Sequence, residues 1–477
     1  MGRLSRRAFL AGVASTAAWW PWRGAAGASR SRLSGAGRLG RQLGFPDPAR
    51  LWHGDSSVAA WARQAGQVPG VSTVRRPREA PHEALPREPL PRESLAAEPL
   101  SARYADLRRH FIFEYYPWYA TEPWLHWNEA GREPPVDIAA SSMPLLGPYD
   151  SRSRHVLEQH ARWIADAGIG AVNVSWWGPG SFTDEVVPTL LDVMRDHDLR
   201  VTFHLEPYRN DRAELFADDV LWLVRKYGDA RHWDAMLVLQ DATGRAGPVF
   251  KLFRAILPPR VTDCLGREHE VPDYTEDARW RRQTARIRTE LRGAFDHVTL
   301  LADSLDVGRT AASGFDGMAI YDNFVAPSTW PGHASVFSGG RLLFSFNVNA
   351  GFDAIVPRPT PDDPCWQPAP FDPGRMTLDW AVDRTRELAM ELAGRRIAES
   401  FDTTVSLQSD PRLSNARRGF FLVYVNSFNE WHEGTQFEPA KDARDLTPAE
   451  WRVGYHNPPA GDYRLHLLGR LVRGLAG

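Results

Sequence analysis

Apolar and polar positions repeat along most of this chain with two periods, one typical of buried strands and the other of helices. Short runs at 111–113, 169–174 and 201–205 are almost wholly apolar, which predicts strands buried on both faces. The stretch 153–167 instead has apolar residues every three or four positions, which predicts a helix with one buried face. Further strands are predicted at 249–253, 298–302, 317–321, 341–346 and 420–428. Further helices are predicted at 280–291 and 377–392, together with one helix capped by Thr183 and one that ends at Gly228.

The alternation of strand and helix decides the predicted fold class. Apolar strands joined by helices form parallel sheets whose faces are both covered. About eight such strands favour an α/β fold of the (β/α)8 TIM-barrel type over a doubly wound sheet. The first strand is not followed by a glycine-rich phosphate loop, which counts against a Rossmann fold. We therefore predict a (β/α)8 catalytic barrel at 106–477.

The first 28 residues have the pattern of an export signal. Arg6-Arg7 precedes a mildly apolar run at 11–20, and Ala26-Gly27-Ala28 then matches a cleavage site. We expect this twin-arginine signal to engage the Tat export machinery, so that the mature protein is secreted, periplasmic or attached to the cell surface. A soluble basic N-terminus with a chance arginine pair is the alternative. Nothing later in the sequence approaches the ~20 apolar residues of a membrane span, so none is expected in the mature chain.

Residues 29–105 are predicted to be an extended, disordered linker. Pro77-Arg78-Glu79, Pro86-Arg87-Glu88 and Pro91-Arg92-Glu93 form a rough repeat with few large apolar residues. Proline-rich, charged sequence of this kind stays extended because it has little apolar surface to bury. A segment that docks to the cell wall is the alternative to a simple spacer.

Composition narrows the classes of function. The net charge is -2, so there is no basic excess suited to nucleic acid. The 19 tryptophans provide many flat apolar surfaces that can stack on sugar rings. Only Cys264 and Cys365 are present, which allows one disulfide but no disulfide framework and no cysteine-based zinc site.

Aromatic, acidic and histidine side chains collect directly after the predicted strands. Because the carboxyl ends of barrel strands meet at one face, these segments are expected to line a single cleft suited to sugars. For one ring, core packing is the alternative, although the adjacent Trp176 and Trp177 cannot both face the core. For His204 with Glu206, the alternative is a buried hydrogen-bonded pair. The predicted substrate-binding residues are Tyr115, Trp118, His126, Trp127, Trp176, Trp177, His204, Glu206, Tyr208, Tyr321, Asn429, Trp431 and His432.

The strongest catalytic signal is the segment Asn429-Glu430-Trp431-His432-Glu433, which follows the last predicted strand. Two carboxylates beside aromatic rings are typical of glycoside hydrolysis. There, burial and mutual repulsion separate the two pKa values, so that one group stays charged while the other holds a proton. A solvated loop is the alternative. We predict that Glu430 and Glu433 are catalytic.

A metal centre is the competing interpretation of the same segment. His432-Glu433 begins like a zinc-protease motif, but Gln436 stands where the second histidine of that motif belongs. His126, His204 and His432 could still meet in the folded chain. We expect neither a metal nor a cofactor.

The segment 429–440 resembles the hallmark segment of the endo-α-mannosidase and endo-α-1,2-mannanase glycoside hydrolases, family 99. Residues similar to other motifs of that family occur in the same order along the chain. The resemblance weakens at 319–323 and 345–353, which bears on the substrate more than on the reaction. The similar segments are 115–119, 126–127, 137–139, 146–149, 175–180 and 204–208.

This resemblance implies a (β/α)8 barrel that cleaves an internal α-mannosidic bond with retention and without a metal. In the family's proposed route, the 2-hydroxyl of the sugar attacks the anomeric carbon and gives a 1,2-anhydro sugar. By match, Glu430 would take the proton of that hydroxyl, and Glu433 would protonate the leaving oxygen and later activate water. Tyr321 would lie at the reacting sugar, and Trp177 would stack on mannose. His204 and Glu206 would bind sugar hydroxyls.

The sequence thus predicts an exported, retaining, endo-acting glycoside hydrolase of a mannose-containing glycan or polysaccharide. A related hydrolase of another polysaccharide is one alternative, because the middle of the chain departs from the family pattern. A catalytically inactive glycan-binding barrel is another. The presence of both Glu430 and Glu433 argues against it, since binding alone needs no acid and base.

Overall fold

The computed structural model describes residues 100–209, 211–229, 233–374 and 376–475. The predicted export signal, and the predicted linker up to residue 99, lie outside these ranges. Leu100–Arg103 form a short helix, and both Leu100 and Tyr104 are buried in the main hydrophobic core. The folded part of the chain therefore includes residues slightly before position 106.

Eight parallel strands form the centre of the molecule. They are short and their residues are almost all buried, because helices cover the outside of the sheet and side chains fill its interior. The predicted strand positions are confirmed to within a few residues. The strands are β1 (Phe111–Tyr115), β2 (Ala171–Trp176), β3 (Arg200–Leu205), β4 (Ala246–Leu252), β5 (Thr299–Ala302), β6 (Gly317–Ala319), β7 (Leu343–Ser345, resumed at Val348–Asn349) and β8 (Val423–Asn426).

The sheet closes on itself through β7. Each strand from β1 to β7 pairs in parallel with the next along the chain, and β8 pairs with β1. The first part of β7 pairs with β6, whereas its second part pairs with β8. Only Phe346 and Asn347 separate the two parts. The two edges of the sheet are therefore joined by one short stretch of chain, which closes the ring of strands. The predicted (β/α)8 barrel is confirmed.

Eight helices alternate with these strands. Helix α1 agrees with its predicted bounds to within one residue. Helix α2 begins earlier than predicted, because Ser181 rather than Thr183 caps it by accepting a hydrogen bond from the Asp184 N–H. The helices are α1 (Arg154–Asp166), α2 (Phe182–Asp196), α3 (Arg212–Leu223, continued by a π-helical turn at Val224–Asp229), α4 (Asp277–Glu290), α5 (Val307–Ala312), α6 (Trp330–Ala334), α7 (Asp383–Ser409) and α8 (Tyr463–Gly474).

Helix α7 is the longest and differs most from its prediction at 377–392. It starts six residues later and runs well beyond Gly394, because Ala393, Ile397 and Phe401 continue its buried face. The ring of Phe401 stacks on Phe111 of β1, with centroids 5.8 Å apart. Helix α7 therefore packs against the barrel at the seam where its first and last strands meet.

Short elements decorate the barrel. One antiparallel hairpin follows β1 and another precedes α4, and one further short strand pairs antiparallel with β4. The short strands are Ala120–Thr121 with Trp124–Leu125, Arg260–Thr262 with Glu268–Glu270, and Val238–Gln240; the short helices are Leu107–His110, Pro327–Thr329, Ser335–Phe337, Ser414–Arg417, Ala443–Asp445 and Pro448–Val453.

Cys264 and Cys365 form a disulfide, with their Cα atoms 5.6 Å apart. The bond links the turn of the hairpin before α4 to the long loop between β7 and α7. It therefore joins two segments that lie outside the strands and helices of the barrel. Among the described residues, no helix is long and apolar enough to cross a membrane.

Candidate active site

The predicted catalytic segment lies on a compact loop that follows β8. The Glu430 N–H donates to Ser427 Oγ (2.8 Å), and the Phe437 N–H donates to the Ser427 carbonyl (2.9 Å), so the loop folds back on itself. Gly434 has φ +66°, and a Cβ there would overlap the backbone carbonyl of Asp353. Only glycine fits this conformation and this close approach. The turn directly after Glu433 is thus fixed by the sequence.

Asn429 fastens this loop to the end of β1. Its Oδ1 accepts from the Tyr116 N–H (2.7 Å), and its Nδ2 donates to the Tyr116 carbonyl (3.0 Å). The Tyr119 hydroxyl bridges the same loop, donating to the Asn429 carbonyl and accepting from the Trp431 N–H, each at 3.1 Å. Asn429 was predicted to bind substrate, but the structure gives its side chain this positioning role.

Both glutamates are buried, with 4% of Glu430 and 2% of Glu433 exposed, which rules out the solvated-loop alternative. The Tyr321 hydroxyl donates to Glu433 Oε2 (3.2 Å) and accepts from the Tyr116 hydroxyl (2.9 Å). Burial, followed by the charges of Glu433 and Glu430, raises the pKa of Tyr321 well above its usual value. Tyr321 therefore stays neutral and keeps its proton available to a carboxylate.

The environment of Glu430 favours its protonated form. Burial raises its pKa well above the usual value, and the nearby charge of Glu206 acts in the same direction. Glu430 Oε1 lies 3.1 Å from His432 Nδ1. Burial also lowers the pKa of His432 to about 4, so that ring is neutral near pH 7. A neutral histidine beside Glu430 leaves the carboxyl group without a cationic partner at this contact.

His204 and Glu206 lie close together at the end of β3. Glu206 Oε1 accepts from the Ser175 hydroxyl (2.8 Å), whose oxygen accepts from Trp177 Nε1–H (3.1 Å). His204 Nδ1 lies 3.9 Å from Glu206 Oε1 and 3.1 Å from Glu114 Oε2. Burial raises the pKa of Glu206. The ends of β2 and β3 thus build one polar network.

Below this network lies a buried ion pair that the sequence interpretation missed. Lys251 Nζ lies 2.5 Å from Glu114 Oε1, and neither side chain is exposed. Glu114 Oε2 also accepts from Asn173 Nδ2 (2.8 Å). Burial alone would raise the pKa of Glu114, but Lys251 and His204 outweigh it and lower the pKa to about 2. The sequence signal that could have indicated this pair is a single charged residue within each of two otherwise uncharged strands, Glu114 in β1 and Lys251 in β4.

Several predicted substrate-binding residues instead pack behind the site, at no more than 1% exposure. Each of their polar groups has a partner within the protein, so they are assigned a structural role. Tyr208 also lies outside the catalytic contacts, since its hydroxyl donates to Asp219 on α3 (2.8 Å). The buried residues are Tyr115 (to His160), Trp127 (to the Tyr149 carbonyl), Trp176 (to Asp184) and Trp431 (to Glu438).

Four other predicted rings lie together at the loop that carries the glutamates. Trp118 stacks on His126, with ring centroids 4.6 Å apart, and lies 6.0 Å from His432 and 6.4 Å from Trp177. Trp177 is partly exposed, whereas its neighbour Trp176 is fully buried, so the adjacent tryptophans do take opposite sides.

The histidines combine differently from the predicted set. Among the described residues, one group of three or more side chains has donor atoms close enough to hold a metal ion, namely His126, Glu129 and His432. His204 is not part of it, because it lies against Glu114 below the glutamates. Glu129 replaces it, and nothing in the local sequence pattern singled out that residue.

The chain is similar to known proteins in both sequence and fold. The model of glycosyl hydrolase family 99 matches residues 104–242, which include β1 to β3. Glycoprotein endo-alpha-1,2-mannosidase of Mus musculus is 27% identical over 377 residues, covering 72% of this chain and 71% of the mouse protein. Glycoprotein endo-alpha-1,2-mannosidase-like protein of Danio rerio is 26% identical over 358 residues, covering 68% of this chain and 70% of its own length.

The fold has a solved counterpart in the GH99 endo-alpha-mannosidase from Bacteroides thetaiotaomicron. The TM-score is 0.55 at 21% identity, and the match covers 77% of this chain and 97% of that one. At this identity the similarity concerns the fold. Together with the family-model match, the two sequence relatives and a buried glutamate pair on the last barrel loop, it leads to one conclusion. The chain is a glycoside hydrolase related to glycosyl hydrolase family 99.

Proposed function

We propose that this enzyme hydrolyses internal α-mannosidic linkages of a mannose-containing glycan and retains the anomeric configuration. The names of the mouse and zebrafish relatives support the linkage type. The observation that carries the proposal is the buried pair Glu430 and Glu433 on one loop, both within electrostatic reach of the Tyr321 hydroxyl.

The two glutamates have different surroundings, which supports different roles. Burial raises the pKa of Glu430, so that, once ionised, its carboxylate is a stronger base than a solvated one. This suits removal of the proton from the sugar 2-hydroxyl as that oxygen attacks the anomeric carbon. Glu433 accepts a hydrogen bond from neutral Tyr321. In the proposed reaction Glu433 gives a proton to the leaving oxygen and later takes one from the attacking water.

The residues around the pair would hold the sugar. Glu206 is buried within a polar network that ends at the partly exposed Trp177, so an adjacent hydroxyl and a ring face of the sugar could be held together. Trp177 and Trp118 supply flat surfaces for stacking on pyranose rings. A substrate bound there would replace water around Glu430 and Glu433, which strengthens every charge interaction with the reacting bond.

The activity test uses a soluble α-mannan and defined α-linked oligosaccharides. Wild-type enzyme is expected to release oligosaccharides rather than single sugars, and NMR should show that the first product has the anomeric configuration of the substrate. Glu433→Gln is expected to abolish turnover while nearly preserving binding. An unchanged rate in Glu430→Gln would contradict participation of the 2-hydroxyl, and a product of inverted configuration would contradict retention.

We also propose export through the twin-arginine pathway, on the basis of Arg6-Arg7 and Ala26-Gly27-Ala28. Replacing both arginines by lysine keeps the charge but alters the paired guanidinium groups. The enzyme should then remain inside the cell and keep its signal segment, as followed by immunoblotting of cell fractions and by N-terminal sequencing. Normal export of the Arg6→Lys/Arg7→Lys variant would contradict this route.

A further inference from the structure

Two imidazoles and a carboxylate meet beside the catalytic residue Glu430. His126 and Glu129 lie on the loop that follows the strand Trp124–Leu125, and His432 lies on the catalytic loop. One candidate ligand atom from each of the three residues lies within 4.8 Å of the others. Two histidines with one carboxylate are a donor set found in protein zinc sites.

The spacing of two of these atoms already suits a bound ion. His126 Nδ1 and Glu129 Oε1 are 3.2 Å apart. In a tetrahedral zinc site with bonds of about 2.0–2.1 Å, neighbouring ligand atoms are about 3.3 Å apart. A modest movement of His432 or of the Glu129 carboxylate would bring the third atom to the same separation.

The hydrogen bonds of His432 orient its ring for a ligand role. His432 Nε2 lies 2.9 Å from the backbone carbonyl of His126, which can only accept, so Nε2 carries the hydrogen. Metal-binding histidines characteristically donate their second N–H in this way. The unprotonated Nδ1 then lies 3.1 Å from Glu430 Oε1. An ion bound at Nδ1 would therefore lie next to a catalytic oxygen.

Glu129 supplies an independent indication of a ligand. Its side chain is 11% exposed, and its Oε2 is buried without a hydrogen-bond partner among the described residues. A buried carboxylate oxygen in this state is compensated by a proton or a cation. In addition, His126 has φ +65°, a left-handed conformation uncommon for residues other than glycine, and such conformations concentrate at functional sites.

We propose that His126, Glu129 and His432 form a binding site for a divalent transition metal, best matched by zinc, and that a bound ion inhibits the enzyme. The ion would occupy the space beside Glu430 Oε1 and compete with the sugar 2-hydroxyl for that oxygen. The inhibitory effect rests on the proposed role of Glu430, whereas metal binding itself does not. Imidazole ligands favour zinc over magnesium.

Binding is tested by titrating zinc into the chelator-treated full chain in a calorimeter, with magnesium as the comparison ion. Glu129→Gln removes the anionic ligand at nearly constant shape, and Glu133→Gln is the matched control, because Glu133 is an exposed carboxylate on the same loop. We expect zinc to bind Glu129→Gln at least tenfold more weakly than wild type or Glu133→Gln. Equal affinity in all three proteins would overturn the site, as would no zinc binding by the wild type.

Inhibition is tested with each protein's rate expressed relative to its own zinc-free rate. Zinc should inhibit wild type and Glu133→Gln reversibly, with recovery on adding a chelator, whereas Glu129→Gln should need at least tenfold more zinc. Zinc that binds through Glu129 but leaves the rate unchanged would overturn the blocking role. If no α-mannoside is hydrolysed, the proposed function is wrong, but calorimetry still shows whether the metal site exists. Glu129→Ala repeats both measurements if Glu129→Gln proves unstable.

Discussion

Replacing Lys251 by methionine tests the buried charge balance beneath the active site. Lys251 and Glu114 are both 0% exposed, and their charged groups lie 2.5 Å apart. Methionine keeps most of the volume of lysine but removes its charge, so Glu114 would lose its closest cation while remaining buried. Removing one partner of a buried ion pair typically costs about 3–5 kcal/mol of stability.

The pKa of Glu114 gives a second measure of the same cost. It is lowered from 4.5 to about 2, because Lys251 and His204 together outweigh the effect of burial. At about 1.4 kcal/mol per unit, the lowered value corresponds to roughly 3 kcal/mol of stability at neutral pH. Since the folded pKa is depressed, this contribution is complete above pH 4.5 and is lost as the pH falls towards 2. Since that value already includes the opposing effect of burial, we predict a loss of at least about 3 kcal/mol for Lys251→Met at pH 7.

The assay is urea denaturation of wild type, Lys251→Met and the double variant Glu114→Gln/Lys251→Met, at pH 7 and at several values below 4.5. The single variant should be at least about 3 kcal/mol less stable at pH 7, with a smaller deficit in acid. The double variant should recover much of the loss, because no charge then remains unpaired. A single variant within 0.5 kcal/mol of wild type, or a double variant no more stable than the single, would refute the reasoning; the 0.5 kcal/mol limit is roughly the scatter of neutral surface changes.

Three further predictions concern the site and its support. Trp177→Ala should raise KM for an α-mannan oligosaccharide about tenfold with a smaller change in kcat, as loss of one stacking surface worth ~1.4 kcal/mol implies; an unchanged KM would contradict stacking. In the proposed reaction the Glu430 carboxylate must be ionised to act, and burial raises its pKa, so kcat/KM should fall as the pH drops through a value above 4.5. An unchanged kcat/KM down to pH 4.5 would contradict this. The double variant Cys264→Ser/Cys365→Ser should lose about 2–4 kcal/mol of unfolding free energy in urea denaturation, since the disulfide closes a long loop. Equal stability of the reduced and the oxidised wild type would contradict that.

The barrel could be predicted because each of its strands is a short apolar run and periodic helices lie between them. The position of the glutamates followed from the same pattern, since Glu430 and Glu433 come directly after the last strand. Helix α7 continues to Ser409, although its prediction ends at residue 392, just before Gly394. In the structure, Ile397 and Phe401 beyond it are held by the barrel, and tertiary packing outweighs the helix propensity of one glycine.

The contacts that decide the role of each residue could not be predicted from the sequence, because they join segments that are far apart along the chain. Glu114 and Lys251 lie on β1 and β4, and only the closed barrel brings them together. Sequence also could not separate the rings that face the site from those behind it. Trp176 is buried in the main hydrophobic core and donates its indole N–H to Asp184 on α2, whereas Trp177 remains partly exposed.

The pairing of Phe111 with Val423 joins the first barrel strand to the last. This contact has one of the largest sequence separations in the barrel, and such contacts carry the greatest chain-closure entropy during folding. The loop with Glu430 and Glu433 begins immediately beyond that seam and is fastened to residues that follow β1. A chain whose ring is still open has therefore not assembled the loop that holds the two glutamates, so under the proposed mechanism hydrolysis requires the closed barrel.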